Sequence, residues 1–217
     1  MPLNLTAKKL FLFDFDGTLV NTAAGILSSI NYTREHYGLP ALDFKQARQH
    51  IGTGRGNLLD GILIEKPGID RAAATLLFQE HHDTHMYEQI RFYPGLAVFL
   101  QRLRAAQKLL GIVSNKQRHL LVQILEHLKS PVAFDLIIGA DTLPERKPSA
   151  LPLLHACATL KTPPDQAVMF GDSIYDVLAG QNAGILTIGC AWGFQGAEPF
   201  RSNPPDWVIE NIQEIII

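Results

Sequence analysis

Two carboxylates near the start of the chain have the type and spacing of a catalytic pair. Asp14 and Asp16 occur in the sequence Asp-Phe-Asp-Gly-Thr, at the end of an apolar run. Residues two apart on a strand project to the same side, so both carboxylates are expected to face one crevice. Turn formation by Asp-Gly explains Asp16, but a carboxylate inside an apolar run is costly to bury without a cation or donors. Asp14 therefore implies a metal ion or a charged partner.

Three later segments carry polar residues that suit phosphoryl chemistry. Ser114 and Asn115 follow one apolar run, Lys147 precedes a proline, and Asp172 follows another apolar run with Asp176 one helical turn later. Each segment also has an ordinary explanation: helix capping by the serine or asparagine, a surface position for the lysine, and a capping box that ends at Asp176. The capping box leaves Asp172 unexplained.

Strands of a parallel sheet are expected to position these residues. Continuous apolar runs predict strands buried on both faces at 10–15, 109–113, 136–138, 167–170 and 185–188. The stretches between them that are helical by composition are 95–106, 117–128, 151–159 and 174–183. This alternation predicts an α/β fold with a doubly wound parallel sheet.

Residues 19–91 are predicted to form an inserted helical cap. The strand signal disappears there, and the helical segments are 23–37, 44–50, 57–63 and 71–87. Ligands of open α/β sheets bind beyond the carboxyl ends of the strands, so an insertion after the first strand can cover the site. The predicted division is a catalytic core of residues 1–18 and 92–217 and a cap of residues 19–91.

Together, the polar segments resemble the four signatures of the haloacid dehalogenase superfamily, in the same order. DFDGTLV, VSNK, the lysine of ERKP and GDSIYDVLAGQNAG carry the resemblance, which covers essentially the whole chain. It points to the phosphoglycolate phosphatase-like branch, although Asn21 and the Ala150-Leu151 pair depart from the usual pattern of that branch. The resemblance implies a Rossmann-like core with a helical cap and a Mg²⁺-dependent phosphatase. Its substrate would be a small phosphomonoester, such as phosphoglycolate or a sugar phosphate.

The resemblance also implies roles for single residues. Asp14 would be the nucleophile that forms an aspartyl-phosphate, and Asp16 the general acid and base. A carboxylate with an ordinary pKa of about 3.9 is ionised at neutral pH, so Asp14 needs no base. The implied Mg²⁺ ligands are Asp14, the backbone carbonyl of Asp16 and Asp172, with Asp176 supporting them from behind. The residues implied to bind the phosphoryl group or the substrate are Ser114, Lys147, Asn115 and Thr18.

Two features of the predicted cap invite functional interpretation. A loop containing Arg55 would lie over the site, where the guanidinium would bind a carboxylate or distal phosphate of the substrate; a solvent-facing arginine is the alternative. His81, His82 and His85 have metal-like spacing on a helix. The candidate catalytic residues lie elsewhere in the sequence, so ordinary structural roles are preferred.

Composition excludes several classes of protein. With 47% hydrophobic residues, 18% charged residues and a net charge of −2, the chain is an ordinary globular protein with no electrostatic reason to bind nucleic acid or a membrane. Cys157 and Cys190 lack metal-ligand spacing and are expected to be buried. No signal peptide is evident, so a cytoplasmic location is expected, and the partner is expected to be a small-molecule substrate. The oligomeric state cannot be inferred.

Two other functions remain open from the sequence. A phosphomutase uses the same paired aspartates, and core residues do not separate it from a phosphatase. A non-catalytic binding protein on the same scaffold is the other alternative, because fold does not determine function. The dehalogenase and phosphonatase branches are disfavoured, since they lack a second aspartate at the position of Asp16.

Overall fold

The computed structural model describes residues 2–52 and 54–217. Contacts divide the chain into two compact units. The first unit runs to Asn21 and resumes at Phe92, and the second spans Thr22–Arg91. The second unit thus begins at Thr22, three residues later than the predicted cap, which began at residue 19.

A parallel sheet forms the centre of the first unit. Its strands are β2 Leu10–Phe13, β5 Leu109–Val113, β6 Leu136–Ile138, β7 Ala167–Gly171, β8 Leu186–Cys190 and β9 Trp207–Ile209. In the part of the chain that the structure describes, these six strands pair in the order β6-β5-β2-β7-β8-β9, and every pairing is parallel. The short strands β1 Leu3–Asn4 and β10 Ile215–Ile216 pair separately. The predicted α/β fold with a parallel sheet is confirmed.

Helices connect the strands and cover the sheet. Those of the first unit are α5 Leu96–Ala105, α6 Arg118–His127, α7 Leu151–Thr159 and α8 Ile174–Ala183, with short 3₁₀ turns at Pro164–Gln166, Glu198–Arg201 and Ile212–Glu214. The helix α8 ends at Gly184, whose φ of 66° is the left-handed conformation that a glycine adopts at low cost.

Side chains from both faces of β2 are buried, which explains its unbroken apolar sequence. Leu10 and Leu12 belong to a core cluster that also contains Leu153 of α7. On the neighbouring positions, Phe13 stacks on Phe170 with ring centroids 5.0 Å apart. Complete burial of such a side chain contributes about 1.5–3 kcal/mol, so β2 anchors the sheet.

The second unit is helical. Its helices are α1 Ala23–His36, α2 Phe44–Ala47, α3 Arg55–Ile62 and α4 Arg71–His85, with a 3₁₀ turn at Arg48–His50; the short strands β3 Val20–Asn21 and β4 Arg91–Phe92 flank it in sequence. Arg34 of α1 is buried and donates to the carbonyls of Pro40 and Ile62 and to Glu65. No helix of the described residues combines the length and the apolar character that crossing a membrane requires.

Several details differ from the sequence-based prediction. The two-residue strands β1, β3, β4 and β10 were not expected, because strands this short are too brief to leave an apolar run in the sequence. The strand β2 ends at Phe13, because the Phe15 carbonyl accepts the backbone N–H groups of Thr18, Leu19 and Val20 and so closes a turn. The strand β9 was not predicted. It has three residues, and the side chains of Trp207 and Val208 are exposed, so it lacks the buried apolar run that marks the other strands.

Candidate active site

Polar residues of the first unit meet at the carboxyl edge of its sheet. Asp14 follows β2, Ser114 follows the neighbouring strand β5, and Asp172 follows β7 on the other side of β2. Carboxyl ends of adjacent parallel strands lie side by side, so these residues converge. Lys147, in the loop before α7, reaches the same place.

Lys147 joins two carboxylates in the centre of the site. Its Nζ lies 2.9 Å from Asp14 Oδ1 and 2.5 Å from Asp176 Oδ1. The contact with Asp14 is an ion pair whose geometry falls short of a hydrogen bond, since Asp14 Oδ1 is buried without a hydrogen-bond partner. Asp176 Oδ2 also accepts the backbone N–H and the hydroxyl of Ser173. Asp176 therefore both caps α8 and holds the lysine.

Asp172 is fixed by donors from two loops. Its Oδ1 accepts the hydroxyl of Thr18 at 3.1 Å, and its Oδ2 accepts the backbone N–H of Phe194 at 2.9 Å. The loops approach so closely that a Cβ at Gly17 or Gly193 would lie within about 2.3 Å of an Asp172 atom. Gly17 also has a φ of +83°, so this position requires glycine both for its backbone conformation and for the close approach of Asp172.

Three carboxylates share this small volume with one ammonium group. Ligand oxygens of Asp14, Asp172 and Asp176 all lie within 4.8 Å of one another, and these residues and Lys147 are between 2% and 7% exposed. Burial raises the pKa of Asp14 to about 6, although Lys147 opposes the increase. Burial and the two neighbouring carboxylates raise the pKa of Asp172 well above its ordinary value. Full ionisation would leave an uncompensated negative charge.

The donor set fits a hard divalent cation. Carboxylate oxygens are the ligands that Mg²⁺ and similar ions prefer, and the buried Asp14 Oδ1 has no hydrogen bond to satisfy it. Within residues 2–52 and 54–217, these three aspartates are the group whose atoms lie close enough to hold such an ion. The cluster contains Asp176, which the sequence placed behind the ligands, in addition to Asp14 and Asp172.

Ser114 and Asn115 reach the site from β5. Ser114 is buried, and its backbone N–H donates to the Ile138 carbonyl, which continues the pairing of the strands. Asn115 Nδ2 donates to the backbone carbonyl of Lys147 at 3.0 Å. The asparagine therefore holds the loop that carries the lysine, a contact that its predicted role in substrate binding did not include.

Asp16 has a partner that the sequence-based interpretation overlooked. Lys116 Nζ lies 3.3 Å and 3.2 Å from its two carboxylate oxygens. The lysine directly follows Ser114 and Asn115 at the end of β5, and this position in the sequence could have indicated that it reaches the site. Thr18 is fully buried, with its hydroxyl on Asp172 and its carbonyl accepting the Trp192 indole N–H. In this structure Thr18 therefore holds the Asp172 carboxylate in place, a contact that its predicted role in substrate binding did not include.

The other predicted residues belong to the second unit. Arg55 begins α3, and its side chain lies outside the part of the chain that the structure describes. His82 is buried with Nδ1 3.2 Å from Ser29 Oγ, which also lies 3.2 Å from His81 Nδ1. His81 and His85 stack with ring centroids 3.7 Å apart. These histidines pack and form hydrogen bonds within the second unit.

Comparisons with known proteins extend along nearly the whole chain. A family model described as haloacid dehalogenase-like hydrolase matches residues 11–190. The phosphoglycolate phosphatase of Chromobacterium violaceum is 35% identical over 98% of this chain and 97% of its own length. That of Psychrobacter arcticus is 30% identical over 96% of this chain and 94% of its own.

Solved structures show the same fold. The crystal structure of a predicted phosphoglycolate phosphatase from Haemophilus somnus superposes with a TM-score of 0.88 at 27% identity, over 94% of this chain and 95% of that one. A haloacid dehalogenase-like family hydrolase from Streptococcus pneumoniae gives a TM-score of 0.84 at 25% identity, over 96% and 97%. The likeness therefore includes both units of the chain.

Proposed function

The chain belongs to the haloacid dehalogenase-like hydrolase family and is a phosphatase, and we propose that it hydrolyses a small phosphomonoester through an aspartyl-phosphate on Asp14. One observation supports this proposal most directly. Asp14 is a buried carboxylate at the carboxyl end of β2, beside an ammonium group and two further carboxylates. A carboxylate placed in this way is suited to attack phosphorus while neighbouring groups hold the phosphoryl oxygens.

In the first proposed step, a carboxylate oxygen of Asp14 forms a bond to phosphorus as the bond to the leaving oxygen breaks. Asp16 gives its proton to that leaving oxygen, and the alcohol departs. Ser114 donates a hydrogen bond to the phosphoryl oxygens, and Lys147 supplies positive charge where negative charge spreads in the transition state. The products of this step are the free alcohol and the phosphorylated enzyme.

In the second step, water hydrolyses the aspartyl-phosphate. Asp16, now a carboxylate, takes a proton from the attacking water, the water oxygen bonds to phosphorus, and the bond to Asp14 breaks. Inorganic phosphate leaves and both aspartates return to their starting forms. One residue therefore acts first as acid and then as base.

We propose Mg²⁺ as the cofactor, held by Asp14, the Asp16 backbone carbonyl and Asp172, with Asp176 behind them. When bound, the ion would offset the charge of the carboxylates and of the phosphoryl group. The crowding of three buried carboxylates around one lysine supports this proposal, because burial and neighbouring carboxylates raise the pKa of both Asp14 and Asp172, and a bound cation would offset that cost.

Stabilisation by Mg²⁺ is expected to increase with pH. The pKa of Asp14 is about 6 in the folded protein against 3.8 ordinarily, so between these values the folded state retains a proton that the unfolded chain has lost. Without the ion, this group makes the protein less stable as pH rises through that window. Above it, saturating Mg²⁺ should add about 2–3 kcal/mol, or about 5–10 °C in Tm.

Thermal unfolding at about pH 5 and about pH 7.5, in excess Mg²⁺ and in excess EDTA, measures this effect. The gain in Tm should be clearly larger at the higher pH. Asp172→Asn is the control, because it removes a proposed ligand and should reduce the gain. A gain of equal size at both pH values, or none, contradicts the proposed site.

The substrate is proposed from the relatives' names and from the site. Both curated relatives above are named phosphoglycolate phosphatases, so 2-phosphoglycolate is the first candidate and sugar phosphates are the next. Arg55 remains the residue proposed to bind the distal anionic group of the substrate. Its position at the beginning of α3 places it in the helical unit, where substrate recognition was predicted.

Release of inorganic phosphate from a panel of phosphomonoesters tests the proposed function. With Mg²⁺, at least one small phosphate ester should be hydrolysed with a kcat of about 1–10³ s⁻¹, without added bisphosphate. The same protein in excess EDTA is the control and should be inactive. Isomerisation of a sugar phosphate that requires a bisphosphate would instead identify a phosphomutase, and no turnover of any ester would refute the proposal.

A further inference from the structure

Each of the two paired aspartates has its own lysine. Lys147 contacts Asp14, whereas Lys116 contacts Asp16 through both carboxylate oxygens, at 3.3 Å and 3.2 Å. The side chains of this second pair are mostly buried, at 8% exposure for Lys116 and 15% for Asp16. The proposed mechanism gives Lys147 a role in stabilising the transition state but assigns no role to Lys116.

The backbone around both partners is firmly held. Lys116 N–H donates to Ser114 Oγ at 3.3 Å, and its carbonyl accepts the N–H of Ala140 at 2.9 Å. Asp16 forms a bridge with Val20 in the turn that follows β2. The pair therefore connects the ends of two adjacent strands, β2 and β5, and the long lysine side chain is ordered against the Asp16 carboxylate.

We propose that Lys116 is a positioning residue for Asp16. By binding both oxygens, the ammonium group restricts the Asp16 side chain to one orientation. From that orientation the carboxylic acid form gives its proton to the leaving oxygen, and the resulting carboxylate later takes a proton from water. This inference rests on the proposed function, because it assigns Lys116 to the proton transfers of that reaction.

The proposal predicts an effect that depends on the leaving group. An alkyl phosphate such as 2-phosphoglycolate needs a proton on its leaving oxygen, whereas 4-nitrophenyl phosphate does not. Hydrolysis of the aspartyl-phosphate needs Asp16 with either substrate. Loss of Lys116 should therefore slow alkyl ester cleavage and dephosphorylation, but not phosphorylation of Asp14 by the aryl ester.

Three variants test this prediction. Lys116→Met should lower kcat for 2-phosphoglycolate by about 10–100-fold, while the single-turnover rate of phosphoenzyme formation from 4-nitrophenyl phosphate stays within about threefold and phosphoenzyme accumulates. Lys116→Arg, which retains the charge, should recover most of the activity. Lys108→Met is the control: Lys108 also donates two hydrogen bonds, to the backbone carbonyls of Thr6 and Lys8, but these residues precede β2 whereas Asp16 follows it. It should leave both substrates unaffected.

A double-mutant cycle separates positioning from a general structural role. In the Asp16→Asn background, Lys116→Met should have almost no further effect, because its partner is already gone. If Lys116→Met does not fold, Lys116→Gln takes its place in every measurement.

Two results would overturn the role of Lys116 while leaving the proposed function intact. The first is that Lys116→Met lowers kcat equally for both substrates without accumulation of phosphoenzyme. The second is that Lys116→Met causes as large a loss of activity in the Asp16→Asn background as it does when Asp16 is present. Absence of phosphoenzyme in the wild type under acid quench, together with no phosphate release from any ester, would instead overturn the proposed function and this inference together.

Discussion

Asp14→Asn is expected to lower kcat by at least about 10³-fold while making the cation-free protein more stable at neutral pH. The amide is a poor nucleophile and a weaker metal ligand, so covalent labelling should disappear with turnover. Stability should increase, because burial raises the pKa of Asp14 to about 6 and the ionised carboxylate is therefore unfavourable in the folded state. Its removal should contribute about 1–3 kcal/mol near pH 7.5, and much less near pH 4.

The matched control is Asp16→Asn, which changes the other member of the pair in the same way. Its Asp14 can still attack an activated aryl phosphate, but the hydrolysis of the intermediate lacks its base, so phosphoenzyme should accumulate above the wild-type level. Intact-protein mass after rapid acid quench detects the added phosphate, and thermal unfolding in EDTA measures stability. Turnover retained by Asp14→Asn, with no phosphoenzyme in the wild type or in Asp16→Asn, would exclude covalent catalysis by Asp14.

Asp14→Asn is thus expected to lower activity and to raise stability, and this opposition follows from how the whole site is built. Asp14, Asp172 and Asp176 are crowded into a buried volume, where burial first and the neighbouring carboxylates second raise the pKa of Asp14 and of Asp172. An arrangement selected for folding alone would not place three carboxylates there. The energetic cost of the cluster is the strongest physical argument for the proposal that it binds a cation and a phosphoryl group.

The fold was predictable because its strands have a distinctive sequence pattern. Strands buried on both faces must be apolar throughout, as β2, β5 and β7 are, and the glycine after α8 marks the end of that helix. The edge strand β9 escaped prediction because its exposed side chains follow no buried pattern. Pairing of β1 with β10 joins the two ends of the chain, and no local signal reports such a contact.

The sequence predicted those residues of the site that directly follow a strand. Asp14 was recognisable as a carboxylate in an apolar run, and Asp172 as one that capping left unexplained. The sequence could not show that Asn115 supports the Lys147 loop, that Thr18 holds Asp172, or that Lys116 meets Asp16. These contacts join segments more than thirty residues apart, and they depend on loop geometry that only the folded chain defines.

Burial of Lys147 is the least expected feature, since lysines are seldom buried without partners. Burial lowers the pKa of Lys147, but the carboxylates of Asp14 and Asp176 together outweigh it and raise the pKa above the ordinary value of 10.5, so the ammonium form persists at neutral pH. Lys147→Met would leave three buried carboxylates without their cation. We expect a loss of about 3–5 kcal/mol at pH 7.5, or about 6–15 °C in Tm, and phosphatase activity reduced by at least about 10²-fold.

The pH dependence of this loss distinguishes electrostatics from packing. As pH falls through the raised pKa of Asp14, near 6, the carboxylate becomes neutral and the missing ammonium matters less, so Lys147→Met should approach wild-type stability near pH 5. Adding Asp176→Asn to Lys147→Met should restore part of the lost stability, because one uncompensated charge is removed. The exposed Lys9→Met is the control and should change Tm by no more than about 1–2 °C. A loss for Lys147→Met that is equal at both pH values would show that the lysine acts through packing rather than through its charge.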